Sequence, residues 1–201
     1  MNLRRFAIGV SVLSVLCSGS AWAGASGEAA FRAGDYAAAA RDFMEEANMG
    51  VAKSQSHLAA LYVGGLGVPQ DDAKAFAWFS KAAAQGYANA QYSLGYMYLE
   101  GRGVPRDYGK ALEWFQKAAR QGQADAQNGL AAMYERGTGV AKDYIQAYAW
   151  YSTSAANQDD LAAATHREIL EARMKASDVA QAQKLSQEYF QKYVVPFRGL
   201  D

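Results

Sequence analysis

Apolar residues recur at helical spacing through the stretch 90–125, and glycines and an aspartate interrupt the pattern halfway along it. Leu94 and Tyr98 are one helical turn apart, and the small residue Gly95 between them allows a neighbouring element to approach closely. The second half of the stretch has its own apolar positions at helical spacing: Ala111, Phe115, Ala118 and Ala119. The pattern predicts two amphipathic helices joined by a turn.

The residues between these runs have the chemistry of helix ends. Gly101 follows the last apolar position of the first helix, where a left-handed residue is favoured, and Gly103 allows the chain to reverse. Asp107 precedes the second apolar run and suits an N-cap, because its carboxylate accepts hydrogen bonds from free backbone amides. Gly122 ends the second helix. The stretch is therefore predicted to be one helix–turn–helix unit.

This unit occurs three times at a spacing of 36 residues without insertions, as 54–89, 90–125 and 126–161. Nineteen of 36 positions are identical between 55–90 and 91–126. Self-similarity at a fixed period is typical of solenoids, in which stacked units share one continuous core.

Incomplete units flank the three repeats. Residues 28–53 match the second half of a repeat, with Asp35 in phase with the aspartates that follow, and are interpreted as a degenerate N-terminal repeat. Residues 162–195 are predicted to form C-terminal capping helices, the last of them begun by Ser177 and Asp178. Together the units form a single predicted domain over 24–201.

The recurring residues resemble a known family. The shared pattern reads A-x3-L-G/A-x2-Y-x2-G-x-G-V-x2-D-x3-A-x2-W-F/Y-x3-A-A-x-Q-G-x-A-x-A, and it resembles the Sel-one-like repeat, a branch of the tetratricopeptide superfamily. The resemblance covers roughly residues 35–162. It implies an all-α fold, a right-handed α-solenoid with a concave groove that binds proteins or peptides. Exported bacterial relatives often act as scaffolds or regulators in the cell envelope.

The first residues suggest an exported protein. Arg4 and Arg5 precede an apolar run, 6–16, and a small-x-small sequence ends at Ala23. That order predicts a signal peptide over 1–23 that is cleaved after Ala23. The apolar run is about half the ~20 residues that a membrane span needs, which favours a cleaved signal peptide over an anchor. A membrane anchor is the alternative. We expect a periplasmic or secreted protein without stable membrane insertion.

Composition and charge narrow the classes of function. The 201 residues are 51% hydrophobic, and 20 basic side chains balance 20 acidic ones, so no basic field for nucleic acid exists. Two histidines, His57 and His166, lack a second ligand at metal-binding spacing, and we expect both at the surface. The glycine turns lack the lysine of a phosphate-binding loop. The sequence thus predicts no cofactor, metal site or catalytic constellation, and favours a protein that is not an enzyme.

A stripe beside the core positions of each first helix differs between the repeats, and a varying stripe can encode a partner. Exposed tyrosine is a common contact residue in interfaces. Alternatively, Tyr92 and Tyr96 pack between layers of the solenoid. The candidate partner-binding residues on the concave face are Tyr92, Tyr96, Leu99, Glu100, Ala60, Val63, Asn128, Glu135 and Arg136.

Two functions follow as hypotheses, beside a third option, a purely structural spacer that would have no specific partner. The first is an exported, non-enzymatic interaction module or scaffold that binds a protein or peptide partner in its groove. The alternative is an enzyme or small-ligand receptor of the cell envelope that acts on peptidoglycan or β-lactam-like compounds, as the resemblance to cysteine-rich relatives suggests. This chain lacks their cysteine pairs, since its single cysteine, Cys17, lies in the apolar run near the N-terminus.

Overall fold

The computed structural model describes residues 27–158 and 160–198, and this part of the chain consists of helices and turns without a strand. Residues 27–32 are helical and are called α1 here. The following helices are α2 (Tyr36–Asn48), α3 (Ala52–Gly64), α4 (Asp72–Ala84), α5 (Ala88–Glu100), α6 (Tyr108–Ala119), α7 (Ala124–Arg136), α8 (Tyr144–Gln158), α9 (Leu161–Glu171) and α10 (Ala176–Tyr193). A short 3-10 turn, Val195–Phe197, follows α10. The predicted fold class, an all-α right-handed solenoid, is confirmed. The predicted signal peptide lies outside the described residues.

Aspartate caps and glycine turns place the helix boundaries. The carboxylate of Asp107 accepts a hydrogen bond of 3.0 Å from the Lys110 amide, and Asp71 and Asp143 cap α4 and α8 in the same way. The first helix of each repeat ends on a glycine with a positive φ: Gly65, Gly101 and Gly137. These caps confirm the prediction made from the repeats.

The second glycine of each turn allows close approach. A Cβ atom at Gly103 would collide with the Asp72 carbonyl at the start of α4, and the φ of Gly103 is +67°. Each turn therefore packs directly on the backbone of the preceding repeat, where a side chain would not fit.

Consecutive helices pack against each other from α2 to α9, and α10 returns to pack against α8. The last helix begins at Ala176 with Lys175 as its N-cap, so the expectation that Ser177 and Asp178 begin it is wrong by two to three residues. Asp178 instead lies in the first turn, where its negative charge interacts favourably with the positive end of the helix dipole.

A ladder of buried amide side chains connects the repeats. Gln55, Gln91 and Gln127 each donate from Nε2 to the carbonyl eight residues earlier, over distances of 3.1, 3.3 and 3.1 Å. Each of their Oε1 atoms accepts a hydrogen bond from an amide 30 residues later, on Gln85, Gln121 and Asn157 respectively. Each amide therefore binds the end of the preceding second helix and the end of its own repeat's second helix. The divergent end of the third repeat keeps this link through Asn157.

One tryptophan of each repeat is covered by another side chain, in the same way in the first two repeats and differently in the third. The ammonium groups of Lys81 and Lys117 lie 3.9 and 4.0 Å from the ring centroids of Trp78 and Trp114. In the third repeat a threonine replaces the lysine, and α10 covers Trp150 with the rings of Tyr189 and Tyr193, at 4.4 and 5.6 Å. The final helix thus occupies the position that a lysine side chain occupies in the earlier repeats.

Candidate binding groove

Three adjoining cavities form a groove across α1, α3, α5 and α7. The first cavity, of about 250 Å³, lies beside α1 and α3, and Phe31, Phe43 and Ala60 line it. The middle cavity, of about 280 Å³, lies between α3 and α5, and the third, of about 250 Å³, lies between α5 and α7. Ala60 lines both the first and middle cavities, whereas Tyr92 and Tyr96 line both the middle and third. The three are therefore parts of one continuous surface.

The structure brings most of the sequence-predicted stripe together in this groove. Seven residues line its middle or third cavity: Ala60, Val63, Tyr92, Tyr96, Leu99, Asn128 and Arg136. Glu100 and Glu135 do not line any of the three cavities. Glu135 accepts a hydrogen bond of 2.9 Å from the Tyr151 hydroxyl and lies 3.9 Å from Arg173, which gives it a structural role in the C-terminal repeat.

The two tyrosines of the stripe differ in their surroundings. Tyr92 is half-buried, with its ring centroid 5.8 Å from that of Phe115, and burial raises the pKa of its hydroxyl. Tyr96 is 44% exposed and stands between the middle and third cavities. Tyr92 therefore both packs in the core and lines the groove, whereas Tyr96 is an exposed ridge.

The two cavities beside Tyr96 exist because the equivalent residues in the neighbouring repeats are small. Ala60 occupies the position of Tyr96 one repeat earlier, and Ala132 occupies it one repeat later. A methyl group in place of a phenol ring leaves space on each side of the ridge. The differences between the repeats thus shape the groove, while the positions that they share form the core.

Sequence reasoning missed the first cavity and did not show that His57 lines it. His57 is half-buried on the wall of this cavity: its ring packs 4.8 Å from that of Phe43, its Nδ1 is buried, and burial lowers its pKa. His166 likewise stacks on Tyr151 at 5.1 Å. The first unit is truncated, so α1 has no in-phase partner that would have shown which side faces the groove.

Most polar groups of the groove are already bound within the chain. Arg102 donates two hydrogen bonds to the Asp72 carboxylate, at 2.7 and 3.2 Å. Asn128 donates to Asp160 at 3.1 Å. Arg136, by contrast, is exposed and makes no hydrogen bond or ion pair with any residue that the structure describes. Over residues 27–158 and 160–198, no three histidine, cysteine, aspartate or glutamate side chains are arranged to hold a metal ion.

The right-handed solenoid of paired helices, with its open groove, places this protein in the class of helical-repeat proteins. The profile of the Sel1 repeat matches residues 52–87, 88–123 and 124–159, more than half of the chain. The chain belongs to the Sel1 repeat family, as the resemblance predicted. These units begin two residues before the predicted ones and coincide with the first residues of α3, α5 and α7. Sel1 repeat proteins typically mediate protein–protein interactions and are generally non-enzymatic scaffolds.

Several solved structures are similar to the chain, including the following two. One is a protective antigen of uropathogenic Escherichia coli strains that displays an SLR fold, with 40% identity and a TM-score of 0.75. The other is a Sel1 repeat protein from Oxalobacter formigenes, with 31% identity and a TM-score of 0.67. The alignments cover 79% and 71% of this chain but only 34% and 58% of those proteins, so the chain spans about a third and somewhat over half of their lengths. A comparison with curated proteins gave no match.

Proposed function

We propose that this protein is an exported, non-enzymatic interaction module that binds a protein or peptide along the groove. The observation that carries the proposal is the continuity of the three cavities across four helices. A surface of that length accepts several consecutive side chains of a partner, whereas a small-molecule site is usually one pocket of about 300–1,000 Å³.

Tyr96 is the best anchor for a partner. It is large and exposed, it has only two side-chain torsions to immobilise, and cavities lie on both sides of it. The family's general role as a scaffold agrees with this use of the surface.

Export is proposed from the sequence of residues 1–23. Within the described residues, no helix has the length and apolar character needed to cross a membrane. We propose that the chain is cleaved after Ala23 and acts in the periplasm or outside the cell. Fractionation of bacteria that express the full chain, followed by N-terminal sequencing, should give a periplasmic product that begins at Gly24. A cytoplasmic product that retains Met1 would contradict export.

Site-specific cross-linking tests the groove. A photoreactive phenylalanine analogue replaces Tyr96, and the matched control carries it at Tyr108, which is 40% exposed but lines none of the three cavities. Irradiation in the native envelope should give protein adducts at position 96 and not at position 108. In the protein without the photoreactive residue, Tyr96→Ala should lose binding of the partner while its helicity is unchanged. Tyr108→Ala should retain binding of the partner. Equal cross-linking at both positions would refute the groove as the binding surface.

A further inference from the structure

We infer that the preferred occupant of the groove is an extended acidic peptide segment, with one apolar side chain in the middle cavity and a carboxylate bound to Arg136. This inference rests on the proposed function and specifies the chemistry of the partner.

The middle cavity is suited to an apolar side chain. Ala60, Val63, Phe79 and Met97 supply apolar walls. Its two polar residues other than tyrosine have their groups engaged, since Ser93 donates to the Asn89 carbonyl at 2.9 Å and Arg102 is paired with Asp72. Apart from the hydroxyls of Tyr92 and Tyr96, a polar ligand group there would lose water without gaining a free partner. The volume of about 280 Å³ is just below the range of small-molecule pockets and suits one side chain.

The charge of the groove favours an acidic ligand. Four cationic side chains line the three cavities, against two acidic ones: Arg32, Lys53, Arg102 and Arg136 against Glu28 and Asp125. Because Asp72 neutralises Arg102 from beside the middle cavity, the net excess is one positive charge. The whole sequence has a net charge of zero, so the excess is local to the groove. At the N-terminal end, Glu28 already pairs with both neighbouring cations, at 3.5 and 2.6 Å. A surface with this excess attracts negatively charged segments.

Arg136 is the cation available for a direct contact. It ends α7 on the wall of the third cavity. Asp125 begins the same helix eleven residues earlier, which places it about 16 Å away along the axis. Glu135 is bound to Tyr151, and Glu100 forms no ion pair with Arg136. A partner carboxylate can therefore bind the guanidinium in the two-bond geometry that arginine favours.

The spacing of the two sites sets the spacing of the ligand groups. The middle and third cavities lie on opposite sides of Tyr96, about one helix-packing distance, or ~10 Å, apart. An extended chain rises about 3.3 Å per residue, so three residues cover this distance. The expected segment thus carries an apolar residue and an acidic residue about three positions apart.

Selection from a random octapeptide library displayed on phage tests the inference. The mature protein is the target. Peptides that also bind the variant Ala60→Tyr are discarded, because they bind outside the middle cavity. Tyrosine at this position fills the middle cavity and is tolerated in α5 as Tyr96, so we expect the variant to fold, which circular dichroism verifies. Selected peptides should combine an apolar and an acidic residue at a spacing of about three.

Synthetic versions of a selected peptide then measure each contact by fluorescence anisotropy at low salt. Replacing its acidic residue by the neutral amide should weaken binding about two- to fivefold, as expected for an exposed ion pair. Replacing its apolar residue by alanine should weaken binding about tenfold. Arg136→Gln should abolish the first difference, and Ala60→Tyr the second. Arg120→Gln, which changes an exposed arginine outside the three cavities, should preserve both.

Failure of this inference can be distinguished from failure of the proposed function. A library that gives no groove-dependent peptide, or peptides without the acidic residue, overturns the inference. So does a selected peptide whose affinity is unchanged by Arg136→Gln. If cross-linking at position 96 still captures a protein, the proposed function stands in each of these cases. If cross-linking captures nothing more at position 96 than at position 108, the proposed function itself fails.

Discussion

Gly95 and Gly109 both lie inside helices, yet the same substitution by alanine should shift the free energy of unfolding in opposite directions. A Cβ atom at Gly95 would lie 2.7 Å from Phe115 Cδ1, whereas favourable carbon contacts lie at about 3.5–4.0 Å. Phe115 is only 1% exposed, so its ring has little room to move. Such overpacking costs about 1–3 kcal/mol, against a gain of about 1 kcal/mol in helix propensity. We expect Gly95→Ala to destabilise the protein by about 1 kcal/mol.

Gly109 is the control, because a Cβ atom there would meet only Asp107 Oδ1, at 3.4 Å. Gly109→Ala should stabilise the protein by about 0.5 kcal/mol through the unfolded chain and helix propensity. Thermal and urea unfolding, followed by far-UV circular dichroism, measure both variants. One kcal/mol corresponds to about 2–4 °C in Tm for a domain of this size. Equal stabilisation by the two substitutions would refute the close contact between α5 and Phe115.

Three further predictions concern the caps, the amide ladder and the last helix. Gln127→Leu should lower stability by about 1 kcal/mol in urea unfolding, because Gln127 is 0% exposed and its loss removes one of the two donors to the Ala119 carbonyl, which keeps only the Gly122 amide at 3.1 Å. The backbone amide of Lys110, which Asp107 caps, holds the pKa of the Asp107 carboxyl below its usual range. The ionised carboxylate therefore adds to the stability of the fold above the unfolded pKa of about 3.9. This contribution is lost as the pH falls through the folded pKa. Thermal unfolding should therefore show the wild type more stable than Asp107→Asn at neutral pH, with no difference at low pH. Tyr189→Ala should expose Trp150, shift its fluorescence to longer wavelength and cost about 1–3 kcal/mol, whereas Tyr189→Phe should leave the emission unchanged.

The sequence predicted the helices well because the residues that end them recur in phase. Asp71, Asp107 and Asp143 are N-caps in the structure, as their positions before each apolar run indicated. Three copies of a local signal separate it from accidental composition, which a single copy does not. The last helix has no copy to compare, and there the predicted start was wrong by two to three residues.

The groove was predicted only in part, because periodicity gives an angle around a helix and not the neighbour that covers each side. Tyr96 and Glu135 shared one stripe in the sequence, but only Tyr96 lines the cavities. Glu135 instead contacts Tyr151 and Arg173, which lie 16 and 38 residues later in the chain. Contacts over such separations depend on how α8 and α9 pack, and the local sequence pattern does not determine that packing.

The ladder of buried amides has a consequence for the selection of a partner by the groove, if the proposed function holds. Gln91 binds the end of α4 and accepts a bond from Gln121 at the end of α6, so neither repeat shifts along the solenoid without breaking a buried hydrogen bond. The separation between neighbouring cavities is therefore a fixed length determined by the backbone. Stretching or compressing this scaffold would break buried hydrogen bonds, so the proposed partner should itself present its side chains at the matching interval. Discrimination between partners then arises from the distances between their anchoring groups as much as from the identity of those groups.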